Sequence, residues 1–221
     1  LEDGDGWTVV DTGIPNSETK SHWRTIFENE LGGKPVKRVI VTHMHPDHIG
    51  LAGWMTRKWQ CDLWISRLEY ISCRMLVADT GREAPEAGVK FYRAAGWEQE
   101  DLDRYVDRFG GFGKAVSQLP DAFHRLSDGQ EISIGGRTWR IVTGCGHSPE
   151  HACLWAPDIN VFISGDQITI HWEEDCPCGW KGPRVGPVIT RFAEMEGGDD
   201  KISCAGTAQA YNDFMDYVSE V

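Results

Sequence analysis

The chain has 221 residues, 40% hydrophobic and 25% charged, the ordinary make-up of one globular domain large enough to bury a core. Its formal net charge of -12 repels phosphate backbones, and its longest basic feature, residues 34–38, is too thin to offset that, so no nucleic-acid partner is expected. No apolar run approaches the roughly 20 residues that span a bilayer, so no membrane role is expected either.

The chain opens on Asp3-Gly4-Asp5-Gly6, which is hairpin-turn chemistry, and then on a strand over 7–10. A hairpin turn calls for a strand before it. The partner strand is therefore expected to be missing and the chain to be a fragment, and the lack of an initiator methionine points the same way. Asn16-Ser17 caps a helix that carries Trp23, Ile26, Phe27 and Leu31 at helical spacing and stops at Gly32-Gly33. A strand over 36–41 follows, then a helix to about Trp59, a strand over 61–65, and Ser66 as the next cap.

Between Ser66 and Leu119 the β signal fades. Leu68, Ile71, Met75 and Leu76 form one helical face; Phe91, Tyr92 and Ala95 form another. Leu102, Tyr105, Val106 and Phe109 form a third, broken by Gly110-Gly111-Phe112-Gly113. This predicts a helical insert over about 66–120. It is read either as ordinary packing helices or as a lid or homodimer surface over the functional site.

Strands return over 123–126, 130–134 and 138–142, with turns at Asp128-Gly129 and Gly135-Gly136. A further pair over 151–155 and 161–164 is joined at Pro157-Asp158-Ile159-Asn160. The stretch 172–221 lacks a clear strand-and-turn pattern. With no repeats and no low-complexity tracts, residues 1–221 are read as a single α/β domain with a helical insert.

Seven cysteines is an odd number, so one chain cannot pair them all. Cys61, Cys73, Cys145 and Cys153 stand among apolar residues and read as buried free thiols. Cys176-Pro-Cys178 is a close pair without the spacing or the second pair of a zinc ribbon. A reducing, cytoplasmic compartment is expected.

The most informative stretch is Thr42-His43-Met44-His45-Pro46-Asp47-His48-Ile49-Gly50. Three of the chain's 8 histidines and one aspartate fall in its middle, where a strand ends and a helix starts. A hydrophobic core has no use for such a cluster. His43 and His45 are two apart, so an extended backbone turns both to one side. Pro46 suits the first turn of a helix, which can aim Asp47 and His48 elsewhere. Nitrogen and carboxylate donors suit zinc best, with iron, manganese or cobalt as alternatives. His147 follows a strand on a glycine-loosened loop, Gly144-Cys145-Gly146-His147, and Asp166 follows the apolar strand that ends in Ser164-Gly165. They are the partners the first cluster lacks.

The order Asp11-Thr12-Gly13, His43-Met44-His45-Pro46-Asp47-His48, His147 and Gly165-Asp166 resembles the metallo-β-lactamase fold superfamily. It is similar in particular to the branch of glyoxalase II, thioesterases and lactonases. The matching motifs cover roughly three quarters of the chain. The resemblance implies a four-layer αββα sandwich with a helical insert. It also implies a binuclear zinc site in which His43, His45 and His147 hold one ion, Asp47 and His48 hold the other, and Asp166 bridges them. Members with two ions usually supply a further histidine well after the bridging aspartate. Here His171 stands too close and none follows it, so truncation, divergence of the tail, or substitution by Asp175 or a cysteine is expected, with one zinc ion or two. Glu150, where a small residue is usual, is expected to narrow the pocket or add negative charge.

The implied chemistry is hydrolysis of an ester, thioester or lactone carbonyl of a small molecule by water activated on zinc, with Asp47 orienting it. No Gly-x-Ser-x-Gly elbow is present, which disfavours a serine hydrolase. β-Lactam hydrolysis, a di-iron redox protein and a catalytically impaired metal-binding fragment stand as alternatives.

Overall fold

The computed structural model describes residues 1–170, with the backbone of two short strands at 189–191 and 202–204. β1 (Glu2–Asp3) and β2 (Gly6–Val10) form the opening hairpin, with Asp3 opposite Gly6. The partner strand expected to be missing is therefore present as two residues, too short to carry any periodicity.

α1 (Ser17–Asn29) starts where Asn16 Oδ1 accepts the Thr19 N–H at 2.7 Å. β3 (Val36–Ile40) leads into α2 (Pro46–Ile49) and α3 (Ala52–Trp59), so the one predicted helix is two, broken at Gly50-Leu51. β4 (Asp62–Ser66) is followed by α4 (Arg67–Ala78), α5 (Glu86–Ala94) and α6 (Gln99–Arg108), the predicted helical stretch. β5 (His124–Leu126), β6 (Glu131–Ile134), β7 (Arg137–Gly144), β8 (His151–Ala156) and β9 (Val161–Ile163) lie within two residues of expectation. β10 (Ile168–Ile170), β11 (Ile189–Arg191) and β12 (Ile202–Cys204) complete the described strands.

Two five-stranded sheets organise these elements. The first runs β1-β2-β3-β4-β5 and is parallel from β2 onward; the second runs β11-β9-β8-β7-β6 and is antiparallel. A separate β10–β12 ladder is also antiparallel. The end of β3 shows why Val39-Ile40-Val41 is continuously apolar. Val39 and Val41 face the helices, whereas Ile40 faces the second sheet, where it meets Leu126, Ile141 and Leu154. On the helical side Phe27, Ala52, Met55, Tyr70 and Cys73 pack on Val36, Val39, Leu63 and Ile65. The described residues thus form helix, sheet and sheet layers, and the expected fourth layer lies outside them.

The insert departs from its predicted pattern at α4. Glu69, Tyr70 and Cys73 are buried, while Leu68, Ile71 and Met75 are exposed. α5 buries none of its residues and leans on α6, with Tyr92 and Tyr105 ring centroids 4.8 Å apart. The excursion closes at its base, where the Gly81 N–H donates to the Gly110 carbonyl at 2.9 Å.

A buried ion pair ties the two sheets together. Asp3 accepts from Thr8 Oγ1 at 2.8 Å, Arg38 Nη2 at 2.7 Å and the Gly135 N–H at 2.9 Å. Arg38 also donates to the Ser133 carbonyl at 2.8 Å, across to the second sheet. Burial alone would raise the Asp3 pKa, but these donors and the guanidinium charge hold it at about 2 against an ordinary 3.8. A depressed carboxylate pKa adds stability that is complete above the unfolded value and fades as pH falls through the folded one. Unfolding in urea should therefore show about 2 kcal/mol lost between pH 5 and pH 2 through Asp3. An Asp3→Asn variant should be less stable at pH 7 and lack that part of the slope.

Candidate metal centre

The loop after β3 and the loop after β7 bring three imidazoles to one point. His43 Nε2 lies 2.9 Å from His45 Nδ1, and His147 Nε2 lies 3.1 Å from the former and 2.9 Å from the latter. Three ring nitrogens so close cannot all be satisfied by one another's protons. A cation accepts all three lone pairs. Tetrahedral zinc with ligands at about 2.0–2.1 Å would set them roughly 3.3 Å apart, a small outward breath from the observed triangle. Burial first, and then the neighbouring imidazoles, lower the His43 pKa, which keeps it a neutral ligand. His147 is lowered in the same way.

Asp11 sets the orientation behind this cluster. Its carboxylate accepts from the Thr42 N–H at 2.8 Å, from Thr42 Oγ1 at 2.8 Å and from His48 Nδ1 at 2.8 Å. The Thr42 hydroxyl proton is committed to a carboxylate that can only accept. Thr42 Oγ1 must then accept from His43 Nδ1, 3.0 Å away, and His43 Nε2 presents its lone pair to the cluster. One aspartate thereby fixes the tautomer of His43 through Thr42 and that of His48 directly. The adjoining Thr12 locks the same turn: its N–H and hydroxyl both donate to the His48 carbonyl, each at 2.8 Å. Gly50 makes this closeness feasible, since a Cβ there would lie 2.3 Å from the Pro46 carbonyl and 2.7 Å from that of Gly13.

A second donor set adjoins the first. His43, His48 and Asp166 bring one ligand atom each into a common volume. His48 Nε2 lies 3.4 Å from Asp166 Oδ1 and 3.7 Å from Asp47 Oδ2, and Asp166 Oδ2 lies 3.6 Å from His147 Nε2. Asp166 thus stands between the two groups. Burial would lower the His48 pKa, but the Asp11 and Asp166 carboxylates raise it to about 10, so an ion at His48 Nε2 would have to displace a proton that Asp166 otherwise holds there. His48 in turn lowers Asp166. Asp47 is exposed at the mouth of the site, beside His48 rather than inside either tight group. All six predicted residues, His43, His45, Asp47, His48, His147 and Asp166, therefore meet at one end of the sheets. His171 and Asp175 lie outside the described residues.

Glu150 does not face this site as expected. Its carboxylate accepts the Leu68 N–H at 2.7 Å and caps α4, a task sequence reading assigned to Ser66. Ser66 Oγ instead donates to the Glu150 carbonyl at 2.6 Å. Two buried residues went unrecognised in the sequence. His151, at the start of β8, stacks on His43 with centroids 4.7 Å apart, and its Nε2 accepts the Asp166 N–H at 3.1 Å. Burial pushes its pKa down to about 3, so it stays neutral and keeps that acceptor. In the sequence its signal was a histidine heading an apolar strand four residues after His147; the structure sets it opposite Gly144. Glu69 is the other, fully buried on α4. Among the thiols, Cys73 and Cys153 are buried as expected, whereas Cys145 is exposed on the loop before His147. A cavity of about 460 Å³ at the insert, lined by Leu76, Trp97, Tyr105 and Phe112 among others, contains none of the six site residues.

Comparison with known proteins agrees with this geometry. The family model of the metallo-beta-lactamase superfamily matches residues 1–191. A relative from Caenorhabditis elegans named beta-lactamase-like protein 2 homolog is 23% identical over 161 residues, 72% of this chain and 40% of that protein. The crystal structure of a beta-lactamase domain protein from Burkholderia ambifaria is 37% identical with a TM-score of 0.66, covering 76% of this chain and 48% of that one. A metallo-beta-lactamase family protein from Thermus thermophilus shares the fold at 21% identity and a TM-score of 0.53, covering 76% of this chain and 53% of that one. The chain thus spans between 40% and 53% of the length of these relatives. With a mixed α/β fold, a His/Asp metal-binding group and a family match over most of its length, this chain belongs to the metallo-beta-lactamase superfamily.

Proposed function

We propose that the chain is a metal-dependent hydrolase acting on an ester, thioester or lactone carbonyl of a small molecule. The observation that carries this reading is the convergence of His43 Nε2, His45 Nδ1 and His147 Nε2, with the His48–Asp166 pair adjoining them. The three imidazoles would hold a first ion, zinc by the softness of the donors, with iron or manganese as alternatives. His48 and Asp47 would hold a second, with Asp166 between the two. When bound, such ions polarise a carbonyl oxygen and bring the pKa of water from about 15.7 toward 7.

The chain's own residues do the rest. Asp11 keeps the Nδ1 protons of His43 and His48 in place, so that both Nε2 atoms point into the site. His151 holds the Asp166 backbone from behind. Asp47, exposed at the mouth, is placed to orient the attacking water through its carboxylate and to take up its proton.

The same proposal includes a homodimer through the insert, whose α4 leaves Leu68, Ile71 and Met75 exposed. It also includes a reducing, cytoplasmic setting, supported by the free Cys61, Cys73 and Cys145. Among the described residues no helix is long and apolar enough to cross a membrane. Exhaustive dialysis against a chelator should abolish turnover of activated ester, thioester, lactone and β-lactam substrates, and added zinc should restore it. Turnover that survives complete metal removal, verified by elemental analysis, would overturn the hydrolase reading.

A further inference from the structure

We infer that Glu69 is a positioning residue that holds the two ligand loops in register, so that His43, His45 and His147 present a preformed site. The inference rests on the reading of those histidines as ligands. Glu69 sits in the first turn of α4 with none of its surface exposed, an unusual place for a carboxylate. Such a group persists only when fully hydrogen-bonded. Here Oε2 accepts the N–H of Met44, the residue between His43 and His45, at 2.9 Å. Oε1 accepts from Ser148 Oγ and from the Glu150 N–H, both at 2.7 Å, one and three residues after His147.

One carboxylate therefore grips both loops that supply the first donor set. The loops come from different sheets; the Ala152 N–H joins the Thr42 carbonyl at 2.8 Å behind them, and Glu69 is what ties the loops themselves, at Met44 on one side and at Ser148 and Glu150 on the other. Glu150 returns the grip, with its carboxylate on the Leu68 N–H and its carbonyl on Ser66 Oγ. The N-terminus of α4 and the His147 loop are thus clasped from both sides. The helix N-terminus adds a favourable field for the buried carboxylate. A site whose donors are held apart at a fixed distance binds its ion without a reorganisation cost, and loss of such supporting bonds typically costs 10–100-fold in metal affinity.

The test is Glu69→Gln. An amide can keep one pair of contacts but must turn its NH₂ toward either the Met44 N–H or the Ser148–Glu150 donors, which loosens one loop. Zinc affinity, measured by competition with a chromophoric chelator, should fall about 10–100-fold. The visible spectrum of the cobalt-substituted protein should shift as the ligand field relaxes. Ser148→Ala, which removes one of the three contacts, should give a smaller loss in the same direction and covers the case in which Glu69→Gln does not fold. A Glu69→Gln protein, or failing that a Ser148→Ala protein, with wild-type zinc affinity and an unchanged cobalt spectrum overturns the inference. Wild-type protein that binds no zinc overturns instead the ligand reading beneath it.

Discussion

Replacing His147 with alanine is expected to lower hydrolytic turnover by at least about a thousandfold. His43 and His45 share one short segment, whereas His147 arrives from the other sheet and completes the triangle. Without it two nitrogens remain, too few for a tetrahedral ion that must keep only one position open for substrate. Elemental analysis of the variant should show about one ion fewer per chain than the wild type. The fold should survive, because His147 is half-buried on a loop and belongs to neither hydrophobic core. Unchanged metal content in a folded His147→Ala protein would remove His147 from the ligand set.

Asp11→Ala is expected to cost more in stability than any other single change near the site. It strands three buried donors at once: the Thr42 N–H, the Thr42 hydroxyl and the His48 Nδ1–H. Leaving such groups unpaired costs about 3–5 kcal/mol in a buried network. Asp11 also sits at φ 58°, where a short polar side chain is tolerated and alanine is strained. Asp11→Asn separates the two effects. Asparagine tolerates that backbone and keeps an acceptor for the Thr42 N–H, but an NH₂ in place of the other oxygen can accept from neither the Thr42 hydroxyl nor the His48 ring. It should unfold in urea nearer to wild type yet bind the proposed second ion about 10–100-fold more weakly, as metal titration would read. Equal stability losses in the two variants would contradict this division of labour.

Much of this organisation was legible in the residues, and the exceptions share a cause. Alternation and helical spacing located β2, β3, α1 and the strands from β5 to β9, because each buries a periodic apolar face. The six candidate ligands were legible because donors crowd at strand ends, where no packing role explains them. The two-residue β1 was invisible to any periodicity. α4 was read inside out because counting apolar residues picked Leu68, Ile71 and Met75, while the buried side carries a glutamate. Glu69 and His151 were missed for a related reason. Their meaning lies in partners far along the chain or in three dimensions: Ser148 is 79 residues from Glu69, and His43 stacks on His151 across the two sheets. Asp11 was noticed only as part of a motif; its three hydrogen bonds give the physical reason for it.

The hydrogen bond between Gly81 and Gly110 has a bearing on how this chain can change. It means that the α5–α6 excursion departs from the scaffold and rejoins it at a single point. Gly110 makes the junction tight: at φ 66°, a Cβ there would lie 2.6 Å from the Arg82 carbonyl. The parallel pairing of β4 with β5 requires a crossover, and α4 with the segment after Gly110 already provides one. What lies between the two glycines is thus free of topological duty. A change of length there is expected to leave the strand ends that carry the histidines where they are, provided that the packing around the buried Leu102 is kept.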